Sequence, residues 1–240
     1  MVKSAKGFLN ASLATKVVVS LIISIAVTSF ALAQEILPRP ENPSNAELTN
    51  QADNQQTQIL VDSNTLRTAI FAGGCFWCME PPFDALPGVH DTTAGYTGGT
   101  TPDPTYAEVA GKATGHYEAV RVTYNPNIIT YAKLLEIFWR NIDPLDDKGQ
   151  FCDRGTPYLS AIFVDTEEER TLAEESKQKT QKDLEDKGTV VTRILQRAKF
   201  YEAEEYHQNY AQKNQLRYKY YRKACKRDFR LEELWGLIFS

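Results

Sequence analysis

Thr68-Ala69-Ile70-Phe71-Ala72-Gly73-Gly74-Cys75-Phe76-Trp77-Cys78 joins a short apolar run to two glycines, then to two cysteines enclosing a pair of aromatics. Thr68 to Ala72 reads as a buried strand. The glycines let the backbone turn sharply and approach a ligand closely. Cys75 then falls near the first turn of whatever helix follows, where free N–H groups and the positive end of the helix dipole favour thiolate over thiol. A strand end that delivers a cysteine in this way suits a nucleophile. A lone cysteine is more often a buried structural residue than a nucleophile; the glycines, the aromatics and Cys78 weigh against that reading here.

Outward from this stretch, Phe83 to Leu86 reads as helical. Pro81-Pro82 does not belong deep inside a regular helix, so the Cys75 segment is expected to be a separate turn. Tyr117 to Tyr124 alternates as a strand does, with Val120, Val122 and Tyr124 opposite Ala119, Arg121 and Thr123. Tyr131 to Arg140 carries a helical stripe of Leu134, Leu135, Ile137 and Phe138. Leu159 to Val164 reads as a strand. Thr166 and Glu169 form a capping box opening a charged helix to about Lys187, closed by Gly188. Val190 to Leu195 reads as a strand and Glu202 to Asn214 as a helix. Strands alternating with helices imply an α/β or α+β layered domain.

The chain has 240 residues and a formal net charge of -4, which suits one catalytic domain with dispensable ends. Lys3, Lys6 and Lys16 precede an apolar run from Val17 to Leu32, and Ala31-Leu32-Ala33 has the small residues of a signal-peptidase site. Residues 1–33 are therefore expected to be a secretory signal or an uncleaved anchor, and the product exported to a periplasmic or other extracytoplasmic space. Residues 34–66, with Pro38, Pro40, Pro43 and an Asn- and Gln-rich stretch, read as a disordered polar linker. Residues 67–240 form the expected catalytic domain. Removing residues 1–33 takes away three lysines and no acids, so the charge falls from -4 to -7, which disfavours nucleic-acid binding. Arg217, Lys219, Arg222, Lys223, Lys226, Arg227 and Arg230 read as a solvated helix face.

Four cysteines in an exported chain also fit two structural disulfides. Cys75 and Cys78 have zinc-ligand spacing, but no second pair completes a metal set, and no metal is expected.

Gly74-Cys75-Phe76-Trp77 resembles the active-site signature of the type A peptide methionine sulfoxide reductases. Ala94 to Gly99, Gly115 to Val120, Cys152 to Tyr158 and Glu202 to Gln208 resemble further motifs of that family, in family order, and the likeness spans about Arg67 to Gly236. It implies a two-layer α/β sandwich of ferredoxin-like type with long coil segments. It also implies reduction of methionine-S-sulfoxide, free or in proteins, by Cys75 as nucleophile and Glu118 as acid. A carboxyl in a partly apolar pocket keeps its proton near neutrality, which such an acid needs. By the resemblance Tyr96 and Tyr158 hydrogen-bond the sulfoxide oxygen, Asp153 supports them, and Phe76 and Trp77 wall the substrate methyl; His207 lies in a matching segment with a less defined role.

Attack leaves Cys75 as a sulfenic acid that a second thiol must resolve. Cys225 and Cys78 stand equal as candidates, with Cys152 third. A thioredoxin-like dithiol protein is the implied reductant, no cofactor is bound, and a monomer is implied. Two departures stand out: Cys78 where other members have glycine, and Pro157 with Leu159 where arginine is common. Two rival readings are a general disulfide oxidoreductase using Cys75 and Cys78, and a noncatalytic module with two structural disulfides.

Overall fold

The chain runs through β1 (Arg67–Gly73), α1 (Phe76–Asp84), β2 (Val89–Thr97), α2 (Tyr106–Ala110), β3 (Tyr117–Tyr124) and α3 (Tyr131–Arg140). It continues through β4 (Gly149–Gln150), β5 (Asp153–Arg154), β6 (Ser160–Val164), α4 (Glu167–Asp183), β7 (Arg193–Gln196) and β8 (Phe200–Glu202). It ends with α5 (Tyr210–Lys213), α6 (Gln215–Ala224) and α7 (Arg227–Trp235). This is a computed structural model that describes residues 65–236, all within one compact unit. The expected signal segment, the expected linker up to residue 64 and residues 237–240 lie outside the described residues.

Six strands form a sheet in the order β7-β6-β1-β3-β2-β8, with β4 and β5 paired separately. Neighbours are antiparallel except β6 and β7. The fold is therefore mixed α/β. Period-two alternation divides β1 between the faces: Ala69 and Phe71 join Val120, Val122 and Tyr124 on one, Ile70 and Ala72 join Ala119 and Phe163 on the other. Helices α1, α3 and α4 bury Phe83, Leu134, Leu135, Phe138 and Ala173 in the first cluster. Phe71 stacks between Phe83 and Phe138 at centroid distances of 5.3 and 5.2 Å. Each such ring contributes roughly 1.5–3 kcal/mol by leaving water.

β3 and α3 fall where their periodicity predicts. Several elements do not, for local reasons. α1 is continuous through Pro81 and Pro82 rather than a turn followed by a helix. The missing proline N–H groups are tolerated because the helix is short and its face, with Met79 and Phe83 fully buried, is held by packing. β2 escaped prediction because Val89-His90-Asp91-Thr92-Thr93 has no apolar alternation; pairing with β3 and β8 on either side makes it a strand. The charged helix ends at Asp183, and Gly188 at φ +151° closes the following turn by donating to the Leu184 carbonyl at 3.2 Å.

The expected strand Val190–Leu195 shrinks to Arg193–Gln196, because the Val190 N–H donates to the Gln181 side chain at 2.8 Å rather than to a ladder. The expected helix Glu202–Asn214 is instead the end of β8, a 3-10 turn at Glu205–His207 and the short α5. Asn209, left-handed at φ +53°, interrupts it. Gln208 pins the segment to β2 by accepting from the Ala94 N–H at 2.8 Å and donating to its carbonyl at 2.9 Å.

Candidate active site

Cys75 is the residue that caps the N-terminus of α1, at φ -52° and ψ 118°, and it and Cys78 are both buried. Its approach is tight. A β-carbon on Gly73 would meet Met79 Sδ at 2.6 Å, and Gly74 sits at φ +80°, a conformation that suits glycine. The first N–H of α1, on Phe76, donates to Glu118 Oε2 at 3.1 Å. Glu118 reaches that point because it shares a strand face with Val120 and Val122, the face on which α1 packs. The Glu118 carboxyl thus accepts from the residue next to Cys75.

Burial pushes the Glu118 carboxyl up to about 8, the charges of Asp153 and Cys78 push the same way, and bonds from Phe76 and Tyr158 oppose them. At neutral pH the group holds its proton. The hydroxyls of Tyr158 and Tyr106 both act on the Glu118 carboxyl, so two phenols flank it. Tyr106 was missed from the sequence, whereas the hydroxyl of Tyr96 turns away and donates to Glu204 Oε2 at 2.8 Å. Tyr96 is instead fully buried, its ring 6.0 Å from that of Phe76. The signal for Tyr106 lay in Thr105-Tyr106-Ala107-Glu108, a capping box that sets Tyr106 at the first position of α2.

Phe76, Trp77, His207 and Tyr106 form an aromatic wall. His207 lies 5.0 Å from the Phe76 ring and 4.5 Å from that of Tyr106. Trp77 Nε1–H donates to His207 Nδ1 at 3.1 Å, so the imidazole proton resides on Nε2, which is buried without a partner among the described residues. Burial lowers the pKa of His207, keeping the ring neutral at pH 7. Trp77 also stacks on Tyr210 at 3.7 Å.

The two inner thiols interact directly. A hydrogen bond from Cys75 and the guanidinium groups of Arg227 and Arg222 draw Cys78 down to about 6, while burial and the neighbouring sulfur push Cys75 up. Among the two sulfurs, negative charge is thus favoured at Cys78 and disfavoured at Cys75. Cys152 and Cys225 form a disulfide, with Cα atoms 4.9 Å apart. Of the three resolving candidates, only Cys78 is therefore free and beside Cys75. Among the described residues, Cys152, Asp153 and Cys225 place ligand-type atoms within 4.8 Å of one another, but the two sulfurs are bonded to each other and leave no thiolate for a metal.

The basic stretch is not wholly a solvated face. Arg227 is buried, donating to the carbonyls of Gly73 at 3.3 Å and Asn141 at 2.6 Å, and Arg230 pairs with Asp143 at 2.7 Å. Lys219, Lys223 and Lys226 are exposed as expected.

A buried thiol beside a neutral carboxylic acid suits attack on an electrophilic atom whose oxygen needs a proton to leave. The site is that of an oxidoreductase with a buried cysteine pair. Residues 67–237 match the family model "Peptide methionine sulfoxide reductase", and the chain belongs to that family. Its enzyme class is peptide-methionine (S)-S-oxide reductase. Similar proteins include "Peptide methionine sulfoxide reductase MsrA 2" of Caulobacter vibrioides, 52% identical over 70% of this chain and 85% of that one. The Bacillus subtilis "Peptide methionine sulfoxide reductase MsrA" is 49% identical over 70% of this chain and 95% of its own. Among solved structures, reduced Mxr1 of Saccharomyces cerevisiae superposes with a TM-score of 0.60 at 31% identity, covering 64% of this chain and 88% of that one. Methionine sulfoxide reductase A of Corynebacterium diphtheriae gives 0.58 at 32% identity, covering 65% and 78%.

Proposed function

We propose that this protein repairs methionine-S-sulfoxide, free and in proteins, through a sulfenic acid on Cys75. The observation that carries the reading is the 3.1 Å bond between the Phe76 N–H and Glu118 Oε2, which holds a neutral acid beside the nucleophile. The Cys75 thiolate attacks the sulfoxide sulfur and Glu118 protonates the oxygen. Oxygen passes to Cys75 as the sulfenic acid, and methionine leaves with the sulfur electron pair restored. Tyr106 and Tyr158 donate to the oxygen as charge gathers on it. Phe76 and Trp77 hold the substrate methyl, where a polarizable group gains from ring contact, and His207 fixes Trp77.

Cys78 then attacks Cys75 Sγ, forming a disulfide and releasing water. The reductant is a thioredoxin-like dithiol protein that enters through Cys152–Cys225, since Cys152 is exposed whereas the inner pair is buried. The strand order β6-β1-β3-β2, antiparallel with α1 and α3 in its crossovers, supports a ferredoxin-like core. Lys3, Lys6, Lys16 and the apolar run to Leu32 support export, with residues 67–240 as the catalytic domain, acting as a monomer.

Turnover of the separate S and R epimers with dithiothreitol tests the reading. Activity on S alone, lost in Cys75→Ser, is expected; turnover by Cys75→Ser at the wild-type rate would overturn it.

A further inference from the structure

One hydroxyl at the site belongs to none of the groups assigned above. Tyr221 of α6 donates to Asp153 Oδ2, and the Cys75 sulfur is one of the groups that act on its hydroxyl. Its ring meets that of Trp77 edge-on at 5.9 Å. Its place is held twice. Tyr221 and Cys225 are one helical turn apart, joined by a 3.0 Å bond from the Cys225 N–H to the Tyr221 carbonyl. They bind two consecutive residues of the facing segment, Tyr221 to Asp153 and Cys225 to Cys152. α6 has no buried residue of its own, so these side-chain bonds, rather than a packed face, register it against the site.

We propose that Tyr221 is a further catalytic residue, whose hydroxyl, anchored on Asp153, turns to the Cys75 sulfur and draws the negative charge of the thiol pair onto Cys75. The proposal rests on Cys75 being the nucleophile. The inner pair holds one proton and one charge. In the resting arrangement the Cys75 S–H donates to the Cys78 thiolate while the phenol proton goes to Asp153. For attack, that shared proton passes from Cys75 to Cys78, the phenol rotates, and Cys75 S⁻ accepts from both the Cys78 S–H and the Tyr221 O–H. No electron moves and no proton leaves the site. When the phenol turns away, the charges of Arg227 and Arg154 still favour the Asp153 carboxylate against the burial that disfavours it. Without the phenol, Cys78 keeps the charge, since Arg227 and Arg222 act on that sulfur.

The test is a single turnover without reductant. Full-length protein with Cys75 and Cys78 reduced is mixed with methionine-S-sulfoxide, and methionine release is followed by rapid quench from roughly pH 5 to 9. Tyr221→Phe is expected to slow release about ten- to a hundred-fold near neutrality, the weight of one hydrogen bond to a charged group. It should also move the acid-side limb of the profile to higher pH. Asp153→Asn should lower the rate similarly, and the double variant should be no slower than the worse single. A fluorinated tyrosine at position 221, of the same shape and a stronger donor, should move the limb to lower pH, which no loss of folding would do. Release by Tyr221→Phe within about two-fold of wild type at every pH, or losses that multiply in the double variant, would overturn the assignment. Cys75→Ser is run alongside: methionine release by that variant would sink the nucleophile reading itself, whatever Tyr221 does.

Discussion

Glu118 carries two opposing demands. Burial next to the thiols favours its neutral form, and that is the form the proposed acid needs to protonate a leaving oxygen, so the same desolvation that costs stability would provide the acid. Glu118→Gln should lower kcat by about 10²–10⁴, with KM little changed. Wild-type activity should decline as pH rises through about 8, where the carboxyl ionises, and the variant should lack that limb. Stability follows with a definite sign. The folded-state pKa lies above the unfolded value of 4.5, so the contribution of Glu118 is fully present below that value and lost as pH climbs towards about 8. Thermal unfolding should therefore show Glu118→Gln gaining on wild type at alkaline pH, with the difference closing near pH 5. At Cys78 the expectation is chemical: Cys78→Ser should release one methionine per chain and then retain a sulfenic acid that a dimedone-type probe traps. Rapid disulfide formation at Cys75 in that variant would return the resolving role to Cys225 or Cys152.

At the scale of elements, the short α2 shows how a cap can matter more for chemistry than for stability. Thr105 accepts from the Glu108 N–H, and the Glu108 carboxylate accepts from the Thr105 N–H at 2.8 Å. That box orients Tyr106 towards Tyr158. Thr105→Ala should cost about 1 kcal/mol in urea denaturation and yet reduce kcat/KM several-fold, whereas an unchanged kcat/KM would mean that Tyr106 is held by other contacts. The legible elements were those whose burial is one-sided: Tyr117–Tyr124 and Tyr131–Arg140 show their periods plainly because each presents one apolar face. β2 and the β8–α5 segment were not legible. They are shaped by partners distant in sequence, Glu118 across from Tyr96 in the sheet and Gln208 on Ala94, and local periodicity does not record such pairing.

For the whole molecule, the C-terminal helices are what complete the site. Arg227 reaches from α7 to the Gly73 carbonyl and to Met79 Sδ at 3.1 Å, tying the chain end to the strand that delivers Cys75. The Cys152–Cys225 disulfide closes a loop of 73 residues. Replacing both cysteines by serine should lower unfolding free energy by about 2–4 kcal/mol and open α6 to limited proteolysis before the sheet unfolds. If α6 stayed as protected as in wild type, its attachment would not depend on the disulfide.

The sequence by itself determined the family, and it named Cys75 and Glu118 as the candidates for nucleophile and acid. Gly-Cys-Phe-Trp and the later motifs are contiguous stretches whose chemistry is local, and Glu118 was singled out through the motif Gly115 to Val120 rather than through any sign of burial. Only the tertiary structure decided which tyrosines flank that acid, which cysteines pair and which arginine is buried. Those outcomes depend on where side chains separated by tens of residues meet. Tyr106 and Tyr96 are alike in type and ten positions apart, and only packing directs one hydroxyl to the site and the other to Glu204.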